Sequence, residues 1–207
     1  MRHYILTRFN LGLFTDNPHG VKDPDQWMTK RMELWKSCRR SVLSQKGQPF
    51  EWWILIDPNT PQKWRDQLTI SPIIKLVEVT DINGLEFAPG PKITSRIDSD
   101  DEYRPGAIMM IQNWAKRCKL PAVVDIDYWI MNSDGTREDP NRPRANSMFA
   151  SLVDTDPGRS VYCSPHSTLP DKFGACKIRQ KFALHNRHGG NLFNKEGDNW
   201  NEETTTT

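Results

Sequence analysis

The chain has 207 residues, room for one α/β domain with its own core and too few for two independent ones. Its 28 basic and 26 acidic residues leave a formal charge of +2, so no global field calls for a nucleic-acid or membrane partner. No apolar run approaches the ~18 residues of a membrane span, and MRHYILTRFN reads as a strand rather than a leader, so a soluble cytoplasmic protein without a signal peptide is expected.

In chain order, His3 to Phe9 is apolar and β-prone, and Asn10, Gly12, Asn17, Pro18 and Gly20 then mark a loop. From Asp25 to Ser44 the apolar residues Trp27, Met28, Met32, Leu34, Trp35, Cys38, Val42 and Leu43 recur at helical spacing, with Asp23 or Asp25 as cap; Gly47 and Pro49 end the helix. EWWILID is a buried strand closed by an Asp57-Pro58 turn. Ile73 to Val79 is a third strand, and Lys92 to Ile97 a fourth that runs into Asp98-Ser99-Asp100-Asp101. Helical spacing returns from Tyr103 to Cys118, with Pro105 in the first turn. VVDIDYWIM, the turn NSDGT and SMFASLV form a strand pair with a long connection. Strands alternating with helices, then hairpins, give an α/β sheet with a mixed C-terminal half.

The rest of the chain differs in charge. Seven Lys or Arg residues lie between Arg159 and Lys195 against the single acid Asp171, together with three of the five histidines. Its periodicity is weak, so it reads as a lid that orders on a ligand, and 196–207 as a frayed polar tail. Four scattered cysteines form no CxxC pair and read as free thiols.

Asp98 and Asp100 follow a strand, where open α/β sheets bind ligands outside the carboxyl edge. Carboxylates repel a diphosphate unless a divalent cation lies between, and oxygen ligands suit Mg2+ or Mn2+. Asp-rich loops are also common turns and caps, so the spacing alone decides nothing.

The strings LTRFN, SVLSQKGQPFEWWILID followed by a TP turn, TSRIDSDD and NSMFASLV resemble, in order and approximate spacing, the family named putative rhamnosyltransferase, within the GT-A-fold glycosyltransferases. The resemblance covers most of the chain. It implies a GT-A-like, Rossmann-related α/β domain over 1–195 with a central, mostly parallel mixed sheet flanked by helices. Residues 1–100 would form its nucleotide-binding half and 101–195 its acceptor half and lid. It further implies sugar transfer from a nucleotide diphosphate donor, UDP- or dTDP-linked, to a hydroxyl acceptor such as a glycan.

By the same resemblance Asp98 lies near the donor ribose and metal, Asp100 is the direct metal ligand with Asp101 in support, and Arg96 faces a phosphate or pairs with the acids. Thr7, Arg8, Asn10 and Asp57 become base and ribose contacts. A C-terminal histidine completing the metal site would be His185 or His188, since the family's His-to-Asn pattern fits His185-Asn186 in one register and His188 to Asn191 in another, with His185 the first choice. An inverting reaction needs a general base; Asp154 is the candidate, with Asp125 and Asp127 as alternatives.

Three rivals remain open from the residues. The basic stretch suits a phage-type enzyme glycosylating hydroxymethylated bases in DNA. The acids alone would also serve a metal-dependent nuclease or phosphoesterase, although no second metal cluster is evident. A nucleotide-sugar-binding protein without catalysis is the third.

Overall fold

The computed structural model describes residues 1–18, 20–139 and 147–188. The elements are β1 (Arg2–Arg8), α1 (Pro24–Leu43), β2 (Glu51–Ile56), α2 (Gln62–Leu68), β3 (Ile74–Glu78), β4 (Lys92–Arg96), β5 (Glu102–Tyr103), α3 (Ala107–Ala115), β6 (Ala122–Met131), β7 (Arg137–Glu138), β8 (Ala150–Asp154), α4 (Leu169–Phe173) and β9 (Ala175–Asn186). Among the described residues they build one sheet in the order β3-β2-β1-β4-β8-β6-β9-β5, with β7 on β6. The pairs β3-β2, β2-β1 and β1-β4 are parallel, as are β6 and β9; β8 runs antiparallel between β4 and β6. This is the mixed α/β sheet expected, and β4, β6 and β9 all end at the same edge.

Helix α1 forms because its apolar side chains repeat with the helical turn and Asp23 caps it, accepting from the Gln26 N–H at 2.9 Å. Asp25, the other cap candidate, is instead bonded to Lys63 and Trp64. Trp27, Met28, Met32, Trp35, Cys38 and Val42 are buried against the sheet, and Trp35 meets Trp52 of β2 at 4.7 Å between ring centres. Burial of side chains of this kind is worth roughly 1.5–3 kcal/mol each. The opposite sheet face packs Tyr4, Leu6, Trp53, Val123, Leu152, Val161 and Leu169 into a second cluster. Between β1, β4, β8 and α3 runs a buried polar chain: Gln112 Nε2 to His3 Nδ1 at 3.2 Å, His3 Nε2 to Ser95 Oγ at 2.8 Å, and Ser95 to Ser151 at 2.6 Å.

Two elements depart from the sequence expectations. The helix read from Tyr103 starts only at Ala107. Glu102 and Tyr103 pair with Leu184 and Ala183 as a strand, and Gly106, at φ 87°, takes a left-handed conformation that Pro105 precedes. The second concerns the basic segment, whose described part holds the short helix α4 and the twelve-residue strand β9, which pairs with β6 and buries Phe182, Ala183 and Leu184. Its alternation is broken because the register with β6 shifts on both sides of Asp127, so the apolar residues fall out of period two. Lys195, Asn191 and the tail 196–207 lie outside the described residues, as do most of the long connection before Ser147 and residues 189–195 of the segment read as a lid.

Candidate active site at the carboxyl edge of the sheet

Strand β4 delivers the acidic run to the sheet edge, and β9 delivers Asn186 and two histidines to the same edge. There the two segments meet. Asp100 Oδ2 lies 2.9 Å from His188 Nε2 across 88 residues of sequence. Asp101 Oδ1 lies 3.0 Å from His185 Nδ1 and accepts the Asn186 N–H at 3.0 Å, while Asn186 Nδ2 donates to the Asp100 carbonyl at 2.5 Å.

Each acid has its own cations. Asp98 stands between Arg8 Nη2 at 3.4 Å and Arg96 Nη2 at 3.3 Å. Both guanidinium groups lie over the Tyr162 ring, 5.3 and 5.4 Å from its centre, and the Tyr162 hydroxyl donates to the Leu6 carbonyl at 3.2 Å. Arg96 Nη1 also reaches His166 Nδ1 at 3.4 Å. Asp100 pairs in addition with Arg31 Nη1 at 2.9 Å. Arg31 comes from α1, is buried, reaches Ser99 Oγ at 3.3 Å and lies 4.8 Å from the centre of the Trp27 ring.

The electrostatics separate the three acids. Burial pushes Asp98 upward, but Arg96 and Arg8 outweigh it and hold the carboxyl below the usual range. Burial opposes the charge of Asp100 too; the His188 hydrogen bond and Arg31 prevail and hold it at about 2. At Asp101 burial wins and lifts the carboxyl to about 6 despite His185, whose own value rises because Asp101 outweighs the burial of the ring. The charge on Asp100 is therefore favoured by its partners, whereas burial works against the charge on Asp101.

Among the described residues, no group of three or more His, Cys, Asp or Glu side chains is gathered as metal ligands. Asp100 and His188 nevertheless offer two facing donors, and a hard cation such as Mg2+ typically takes few protein ligands and fills its shell from phosphates and water. The donor pair fits such an ion, and it joins Asp100 to His188 rather than to His185.

The nucleotide contacts expected at the first two strands are built otherwise. Thr7 is fully buried and its Oγ1 accepts the Trp52 indole N–H at 3.0 Å. Asn10 donates to Thr60 Oγ1 at 2.9 Å and accepts the Asp57 N–H at 3.2 Å. Asp57, fully buried, accepts from Phe14 N at 2.8 Å, Thr15 N and Thr15 Oγ1 at 3.0 Å, and Asn59 N at 2.7 Å. These three side chains pin the loop after β1 to the end of β2, and only Arg8 and Arg96 of the expected nucleotide contacts join the cluster.

Asp154 is not brought there. It ends β8, which runs antiparallel to β4, so it lies opposite Lys92 at the far edge of the sheet, bonded to Arg159 Nη1 at 3.0 Å. Asp125 and Asp127 stand at the near end. On β6 they alternate with Val124 and Ile126 of the first core face, and so share the second face with Arg8 and Arg96. Asp125 is buried, accepts the Ser147 N–H with both oxygens at 3.1 Å, and is lifted by burial to about 6. Asp127 is half-buried beside the register shift.

The sequence reading missed Arg31 and Tyr162, and Asn186 entered it only as the partner of His185 in the His-to-Asn pattern. Arg31 carried a signal: with Trp27 and Trp35 it forms an i, i+4, i+8 row, a charge set into the apolar stripe of α1. Tyr162 carried none.

Residues 22–80, which hold α1, β2, α2 and β3, match the sequence family described as "Putative rhamnosyl transferase". The resemblance to that family holds over these residues, a smaller part of the chain than the motifs implied. The matched stretch includes Arg31 and Asp57 but stops short of the acidic run and the histidines. No curated protein matches the chain. Among solved structures the chain is similar to S. aureus TarS 1-349, with a TM-score of 0.53 and 12% identity over 90% of this chain and 60% of that one. It is also similar to S. aureus TarS 1-349 in complex with UDP-GlcNAc, with a TM-score of 0.51 and 12% identity over 92% of this chain and 60% of that one. The chain thus spans about 60% of the length of these two structures, and at 12% identity the likeness shows a shared fold alone. Among the described residues no helix is long and apolar enough to cross a membrane.

Proposed function

We infer that the chain transfers a sugar from a nucleoside diphosphate donor, UDP- or dTDP-linked, to a hydroxyl acceptor, using the edge where the acidic run meets the end of β9. The observation that carries this is the meeting of Asp100 with His188 at 2.9 Å beside the arginine pair on Asp98. Two carboxylates next to phosphate-binding cations make sense where a diphosphate and a divalent cation are bound together. The UDP-GlcNAc complex of a protein with the same fold, and the family matched by residues 22–80, support the same donor class.

In this reading Arg8 and Arg96 hold the diphosphate, oriented by the Tyr162 ring beneath them. Asp100 and His188 hold Mn2+ or Mg2+, which when bound stabilises charge on the departing nucleoside diphosphate. Asp101 and His185 fix the end of β9 against the acidic loop. Removal of the acceptor proton falls to Asp127, which shares a sheet face with the two arginines and lies two strands from β4, roughly 10 Å away at the usual strand spacing. That gap leaves room for a sugar between diphosphate and base. Asp154, at the other edge, takes no part.

A second acceptor class has one observation in its favour. Lys177 and Arg179 stand exposed on β9, two residues apart beside the register shift, where they would meet phosphates of a DNA acceptor. Release of nucleoside diphosphate from a panel of nucleotide sugars, with and without Mn2+, tests the donor; transfer to hydroxymethylated DNA or a glycan, repeated over a range of salt, separates the acceptors.

A further inference from the structure

Arg31 is the one cation of the site that the proposed chemistry leaves without a task. It is buried on the apolar face of α1, over Trp27, and its Nη1 is shared between Ser99 Oγ at 3.3 Å and Asp100 Oδ2 at 2.9 Å. Asp100 Oδ2 is also the oxygen that faces His188. The guanidinium thus sits on the carboxylate oxygen that a divalent cation would be drawn to, and its positive charge opposes that cation's approach. Because Arg31 is buried, leaving Asp100 would strand its charge unless a new anionic partner takes it.

A diphosphate provides one. Its oxygens accept two parallel hydrogen bonds from a guanidinium as readily as a carboxylate does. We propose that Arg31 is a resident cation that keeps Asp100 closed to metal until the donor diphosphate arrives to take it over, making metal and nucleotide bind as a coupled pair. The proposal rests on the nucleotide-sugar reading of the same edge. Its consequence is a site that acquires metal with its donor rather than before it, through a positioning residue that need not touch the reacting atoms. Because linkage is reciprocal, the coupling must appear equally in metal binding and in nucleotide binding.

The test is a titration of the protein with Mn2+, followed by the electron paramagnetic resonance of the free ion, alone and with saturating UDP, corrected for Mn2+ bound by free UDP. In the unaltered protein Mn2+ alone binds weakly and UDP tightens it at least tenfold. In Arg31→Gln, Mn2+ alone binds at least tenfold tighter than in the unaltered protein, and the factor contributed by UDP shrinks correspondingly. Arg31→Lys keeps the charge and stays close to the unaltered behaviour. Trp27→Leu removes the ring under the guanidinium and leaves Arg31 itself intact; it moves Mn2+ affinity in the direction of Arg31→Gln by a smaller factor, so the idea stays testable if Arg31→Gln does not fold. Mn2+ affinity unchanged or weakened in Arg31→Gln and Trp27→Leu, with UDP coupling intact, overturns the proposal and leaves the nucleotide site standing. If the unaltered protein binds neither UDP nor Mn2+ in any combination, the donor reading itself fails and takes this one with it.

Discussion

Replacing Asp57 by alanine tests whether its carboxylate serves a nucleotide or the fold. Four donors converge on it, namely the Phe14 and Thr15 N–H groups, the Thr15 hydroxyl and the Asn59 N–H, and the side chain is fully buried. Alanine leaves at least the two loop N–H groups without an acceptor, and a buried polar group stranded in this way costs about 1–3 kcal/mol. The expected loss is therefore about 4 kcal/mol, a large part of the ~5–15 kcal/mol that holds a typical domain folded. Asp57→Asn keeps one carbonyl oxygen and should lose about half as much. Equilibrium unfolding in urea measures both, and calorimetric titration with UDP under conditions where each variant is folded measures the site. A stability loss under about 1 kcal/mol in Asp57→Ala, together with abolished UDP binding, would refute the structural role and return Asp57 to the nucleotide pocket.

Asp100→Asn should remove most turnover, by about a hundredfold or more, with circular dichroism unchanged; full activity in steady-state assays would remove Asp100 from the metal site. Arg8→Ala and Arg96→Ala should each weaken UDP binding about tenfold, the scale of one charged hydrogen bond, and unaltered calorimetric affinity in both would move the diphosphate elsewhere. Asp125 links stability to pH. Its carboxyl is raised to about 6 in the fold from an ordinary value near 4, so its contribution is full below pH ~4 and is lost as pH rises through about 6, a change of about 3 kcal/mol. Asp125→Asn should abolish that part of the slope in urea unfolding between pH 4 and 7, and identical slopes in the two proteins would contradict it. If the reaction inverts, Asp127→Asn should lower kcat while KM for donor stays put, and an unchanged kcat would remove it as base.

The first half of the fold was legible because each element there follows one period. Trp27 to Val42 repeat at the helical turn, and EWWILI is a continuous apolar run that can only be a strand covered on both faces. The acidic run was legible because a strand visibly precedes it. Beyond Glu102 tertiary context overrode local signals: Tyr103 joins a strand because Ala183 lies beside it, and β9 hides its alternation behind a register shift. Choosing between the histidines needed the same information. His185 and His188 are equally placed in sequence, and only the path of β9 past the acidic loop sends one to Asp101 and the other to Asp100. Asp57 and Asp154 are ambiguous in sequence for a common reason, since an acid after a strand looks the same whether it faces a ligand, a loop amide or the opposite edge of the sheet. Arg31 could have been found from its place in the apolar stripe of α1.

The account stands most directly on the release of UDP or dTDP from their sugar conjugates by the purified chain, followed by phosphorus NMR with Mn2+ present. It predicts slow release from at least one nucleotide sugar, lost on chelation and lost in Asp100→Asn and His188→Ala, with His185→Ala affected less. Release that persists at full rate in Asp100→Asn, or a chain that neither binds nor cleaves any nucleotide sugar, would contradict it.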